Sequence, residues 1–132
     1  MNAAGRREYN IDLYHKLLRA GKRVFVHSAD DNHNKNPFDH QKNDSFGGFA
    51  MVMADKLEYN EVFHAIETGE MYSSMGPEFK EISIDGNKLH IECSEVSHIF
   101  AYVGSKKPCF LHARPGEVLT GADFEIHENA RY

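Results

Sequence analysis

Between Glu81 and Cys93 the chain alternates apolar and polar residues with a period of two, on both sides of one short turn. Ile82 and Ile84 alternate with Glu81, Ser83 and Asp85. After Asp85-Gly86-Asn87, Leu89, Ile91 and Cys93 alternate with Lys88, His90 and Glu92. A helix would scatter these apolar side chains around its circumference, whereas two strands place them on one face. The segment reads as a β-hairpin whose inner face is Ile82, Ile84, Leu89, Ile91 and Cys93. Its register is strongly constrained, because a one-residue slip would turn every apolar side chain outward. Ile99, Ala101 and Val103 continue the pattern as a third strand, with Phe100 and Tyr102 on the opposite face. Two weaker strands are expected at Pro108 to His112 and at Phe124 to His127.

Before Gly76-Pro77 the periodicity is helical. Asn10 can cap a helix over Ile11 to Ala20, with Ile11, Tyr14 and Leu18 on one face, Leu17 beside them and Gly21 as the C′ residue. Lys16, Arg19, Lys22 and Arg23 favour the negative end of its dipole. Arg23-Val24-Phe25-Val26 then reads as a short strand, rich in β-branched and aromatic residues. A polar loop over 34–48 carries Asp39, His40 and Asp44. Gly47-Gly48 leads into a second buried-strand candidate, Phe49 to Ala54. A second helix around Tyr59 to Thr68 is expected to bury Val62, Phe63 and Ile66, to end at Gly69, and to leave His64 at the surface. Residues 1–77 therefore read as an α/β segment and residues 78–132 as an antiparallel β module, incomplete in extent.

The 132 residues, 41% of them hydrophobic, allow one compact domain or two very small ones. A formal charge of −5 and a pI near 6.0 argue against a binder of phosphate backbones, and no nucleic-acid partner is expected. Cys93 and Cys109 are too few for a disulfide framework or a paired-cysteine zinc module, and each falls in an apolar-alternating stretch suited to a free thiol. The longest apolar run, Phe49 to Ala54, falls far short of the ~20 residues of a spanning helix. The first residues also lack the apolar centre of a secretory signal. The chain reads as soluble and cytoplasmic, with no membrane partner.

The densest concentration of metal-ligating groups is His27-Ser28-Ala29-Asp30-Asp31-Asn32-His33-Asn34, just past the Val24–Val26 strand. Parallel α/β folds gather their chemistry past the C-terminal ends of strands. Asp31 and His33 are two apart, so an extended segment would project both side chains to the same side. A carboxylate and a neutral imidazole converging there suit a borderline divalent cation: zinc, manganese or iron. The residues allow another reading, a solvated turn in which Asp30 and Asn32 bond the local backbone.

The order of motifs carries a resemblance. Gly21-Lys-Arg-Val24, Asp30-Asp-Asn-His-Asn34, Gly47-Gly48 before an apolar strand, a helix ending at Gly69 and Met71-Tyr-Ser-Ser-Met-Gly-Pro77 together resemble the later part of the PHP (polymerase and histidinol phosphatase) family. Isoleucine-rich strands ending in Cys93-Ser94 resemble the β module that follows the barrel in some members. The resemblance implies the C-terminal segment of a distorted β/α barrel followed by an antiparallel, sandwich-like module. It also implies hydrolysis of phosphate esters with divalent metals, and it places the family's late Asp-x-His ligands on Asp31 and His33, with Asp30 as a supporting or capping group. The His-x-His motif with which the family begins does not occur in this sequence. The expectation is a fragment of a PHP-like phosphoesterase, inactive alone, with a phosphorylated small molecule as substrate. Such a fragment should form a homo-oligomer or dock to the missing part of the barrel. The competing expectation is a non-catalytic binding or assembly module that retains a vestigial metal motif.

Overall fold

The computed structural model describes residues 11–43, 45–102 and 108–127. The chain divides into two compact units, Met1–Gly76 and Pro77–Tyr132. It mixes helices with sheets, and every strand pairing among the described residues is antiparallel.

The first unit opens with α1, Ile11–Arg19. Its expected cap, Asn10, lies outside the described residues. At the other end Gly21 takes φ 71, while the Gly21 amide donates to the Leu18 carbonyl and the Lys22 amide to that of Leu17, both at 2.9 Å. This paired closure is the Schellman arrangement that a C′ glycine permits. The strand expected over Arg23 to Val26 does not form, and residues 22–30 carry no regular structure. Side-chain hydroxyls hold the segment instead. Ser73 Oγ donates to the Val26 carbonyl at 3.0 Å, and Ser28 Oγ donates to that of Phe49 at 2.8 Å. β-branched composition favours a strand only where a partner edge accepts its amides, and here hydroxyls make the connection.

Strands β1 (Phe49–Val52) and β2 (Met71–Ser74) form a two-stranded antiparallel sheet with Phe49 opposite Ser74 and Val52 opposite Met71. β1 is half-buried throughout and ends before Met53, which is exposed, so the expected buried run to Ala54 is shorter and wetter. Between the strands lies α2, Tyr59–Thr68, over the expected span. Gly69 stops it in the left-handed region at φ 83, where its amide donates to the Ala65 carbonyl at 2.9 Å. A Cβ at this position would also run into the Phe25 ring. The buried contact of α2 is Ala65, whereas Phe63 and Ile66 remain 47% and 38% exposed and Val62 is half-buried. The expected Val62–Phe63–Ile66 stripe is therefore corrected: a two-stranded sheet is too narrow to cover a full helix face. Phe63 is partly covered by Tyr59, whose ring stacks on it at 4.7 Å. His64 is exposed, as expected.

The second unit contains β3 (Phe79–Asp85), β4 (Lys88–Val96), β5 (His98–Ala101), β6 (Cys109–His112) and β7 (Leu119–Glu125). The hairpin forms in the expected register, with Ile82 opposite Ile91 and Ile84 opposite Leu89. Its burial is one-sided. Ile91 and Cys93 are buried, but Ile82 and Ile84 are 53% and 65% exposed. The reason is topological: the sheet order is β3-β4-β7, so β3 is an edge, and the core forms over β4 and β7. That core joins Ile91, Cys93, Ile99 and Ala122, with Leu89, Val96, Leu119 and Phe124 packed against it.

β7 starts at Leu119, well before the expected Phe124. Thr120-Gly121-Ala122 offers little apolar bulk to a sequence reading, yet close approach is what the position requires, since a Cβ on Gly121 would stand 2.6 Å from the Ile91 carbonyl oxygen. β5 pairs with β6 in a separate two-stranded sheet and does not extend the hairpin; Ile99 brings it into the same core. Ile99 and Ala101 are buried with Phe100 and Tyr102 exposed, as the alternation requires, while Val103 lies outside the described residues. Both cysteines are free, Cys93 buried and Cys109 half-buried. Among the described residues no helix is long and apolar enough to cross a membrane.

Candidate functional site

The acidic–imidazole stretch folds as a compact turn. Asp31 and Asn34 adopt φ 54 and 53, so the segment is not extended, and the expected same-side projection of Asp31 and His33 does not arise in that way. Short polar side chains stabilise such left-handed positions by bonding nearby backbone. Asp30 performs this for the whole turn: one carboxylate oxygen accepts the Asn32 amide at 3.1 Å and the other accepts the Phe46 amide at 2.6 Å. Asn32 accepts the Asn34 amide at 2.7 Å and donates to Ser45 Oγ at 2.5 Å. Asp30 and Asn32 thus tie both ends of the 34–48 loop together through bonds to local backbone and to Ser45 Oγ, as expected of a polar turn.

Asp31 and His33 are exposed. The His33 Nδ1 stands 2.5 Å from the Asp31 carbonyl oxygen. A carbonyl only accepts, so in the neutral ring it is Nδ1 that carries the proton and Nε2 that keeps the lone pair. This is the tautomer in which a histidine offers Nε2 to a metal while its other nitrogen is held by a backbone oxygen. Among the described residues of the loop, His40 is engaged in its own turn, where its Nδ1 accepts the Lys42 amide at 3.1 Å. Asp39 is exposed, and Asp44 lies outside the described residues. Among the described residues no group of three or more His, Cys, Asp or Glu side chains is placed to hold an ion. Asp31 and His33 are therefore two potential donors on one exposed turn.

A second polar constellation escaped the sequence reading. On β4, His90 lies opposite Asp123 of β7, and its Nδ1 is 2.7 Å from the Asp123 carboxylate; Nε2 lies 3.7 Å from Glu92. These residues border an open cleft of ≈ 390 Å³ shared with Lys80, Thr120 and Gly121. The hydrogen bond to Asp123 raises the pKa of His90 above its ordinary value; the charges of Asp123, Glu81 and Glu92 add to this and partial desolvation opposes it. The alternation places His90 on the polar face, but its partner is a cross-strand neighbour in a strand whose start the sequence did not reveal. No family model, curated protein or solved structure matches the chain.

Proposed function

We propose that the Asp30–Asn34 turn is a ligand-bearing element of a PHP-like, metal-dependent phosphoesterase, and that the first unit is the late part of its barrel. The observation that carries this reading is the bond between His33 Nδ1 and the Asp31 carbonyl, which leaves Nε2 free on an exposed turn braced by Asp30. Asp31 and His33 would hold zinc, manganese or iron, a donor set suited to such ions. The ion would supply Lewis-acid polarisation of a phosphoryl oxygen and activation of water. The chain's own residues orient the imidazole, fix its tautomer and set the 34–48 loop beside it, where a phosphorylated small molecule would bind. Two ligands fall short of the three that catalytic zinc sites draw from the protein. The chain alone should therefore bind the ion weakly and hydrolyse phosphate esters little or not at all.

Calorimetric titration with zinc and manganese tests the ligand assignment, with His33→Ala expected to lower affinity. Unchanged affinity in that variant would remove the assignment. Enzyme-like hydrolysis of a generic phosphate ester by the wild-type chain, lost in Asp31→Ala, would instead show a complete site. The second reading, a non-catalytic binding or assembly module, is favoured by the exposed apolar side chains of α2 and β3. It requires that metal affinity be indifferent to His33.

A further inference from the structure

The outer face of the β5–β6 sheet holds a pair of imidazoles that the reading above does not use. His98 and His112 are directly paired positions across the two strands, and the Ala113 amide donates to the Ser97 carbonyl at 2.9 Å just beyond them. Their Nδ1 atoms face each other at 2.6 Å, with the rings edge-on at 4.6 Å between centroids. Phe100 meets the His112 ring edge-on at 5.4 Å, and Phe110 lies 5.1 Å from it. Both histidines are exposed.

Two Nδ1 atoms at this distance cannot both carry a proton: one donates and the other accepts. The arrangement is therefore a pair of convergent nitrogen lone-pair positions with one proton between them. We propose that His98 and His112 form a two-imidazole site for a borderline divalent cation, zinc or copper. Imidazole nitrogens are the ligands such ions prefer, and the strand ladder fixes both Cα positions before any ion arrives. Nitrogens bonded to a tetrahedral ion at ~2.0–2.1 Å stand about 3.3 Å apart, so the pair needs to open by only about 0.7 Å. Exposed side chains reach this by small χ rotations with no change of backbone. The balance is simple: the ion replaces the shared proton, which passes through water to Nε2 of the ring that held it, and both rings stay neutral. Water fills the remaining coordination positions. This site lies in the second unit and does not rest on the phosphoesterase reading.

The test uses the full chain carrying His33→Ala, so that the Asp31–His33 turn contributes nothing to the signal. Zinc is added below one equivalent while the imidazole C–H resonances are followed, and affinity is measured by calorimetry. The signals of His98 and His112 are expected to move first and together. His98→Gln and His112→Gln should each weaken binding by on the order of tenfold or more, since even an outer partner of a ligand is worth about 10–100-fold. Phe100→Ala, which removes a packed ring but no ligand, should leave affinity within a few-fold and so separates loss of a ligand from loss of the hairpin. The proposal is overturned if either glutamine variant keeps wild-type affinity, if zinc shifts the histidine signals indiscriminately, or if Phe100→Ala loses as much as His98→Gln.

Discussion

Ile91 and Ile84 lie on the same face of one hairpin, yet Ile91 is 6% exposed and Ile84 65%. Ile91→Ala should cost about 2–5 kcal/mol, the range for emptying a packed position. Ile84→Ala should stay within about 0.5 kcal/mol, as most surface changes do. Urea unfolding of the two variants measures both, and equal losses would contradict the edge placement of β3. The alternation could reveal which face each isoleucine takes, because that depends on neighbours in sequence. It could not reveal which isoleucine is covered, because that depends on a strand about 30 residues away. The same limit hid Asp123 from His90. That pair also carries a pH signature: the folded pKa of His90 lies above its ordinary 6.5. Its stabilisation is therefore fully present below that value and is lost as pH rises through the folded pKa. The stability difference between the wild type and Asp123→Asn should be larger near about pH 5.5 than near about pH 8.5. A difference independent of pH would show that the pair is not coupled to folding.

At the scale of elements, the segments that sequence located were those whose signals are local. α2 runs from Tyr59 to Thr68 as its periodicity and terminal glycine require, and the hairpin turns at Gly86-Asn87. The elements it misplaced are those decided by tertiary pairing. Arg23–Val26 has strand composition but no ladder partner, and β7 pairs through Gly121, a residue that by composition argues against a strand interior. The Asp30–Asn34 turn was legible as a cluster of residue types and not as a geometry, because Asp31 and Asn34 take left-handed conformations that spacing does not encode. The β4–β7 pairing offers its own test. Gly121→Ala would set a Cβ 2.6 Å from the Ile91 carbonyl, a backbone atom that cannot rotate away. It should destabilise by about 1–3 kcal/mol, the usual cost of overpacking. A neutral substitution would mean that the two strands stand further apart.

For the whole molecule, the balance between covered and uncovered apolar surface matters most. Phe63 and Ile66 on α2, and Ile82 and Ile84 on the edge strand β3, are exposed side chains that a partner surface would cover. Unpaired edges with apolar faces favour association. The chain is accordingly expected to self-associate, with sedimentation at tens of micromolar as the measure; a single monomeric species across about a tenfold range of concentration would contradict it.

Among the described residues, the buried apolar ones, Ala65, Ile91, Cys93, Ile99, Ala101 and Ala122, include no aromatic ring, while Phe38, Phe46, Phe100 and Phe110 are more than half exposed. In calorimetric terms, much of the surface whose hydration normally changes on unfolding is already hydrated in the native chain. A dispersed 132-residue chain should therefore unfold with a heat-capacity increment below the roughly 1.6–2.0 kcal/mol/K usual for its length. Its free energy of unfolding would then curve little with temperature, giving a broad, shallow stability maximum that changes only slightly between the cold and the physiological range.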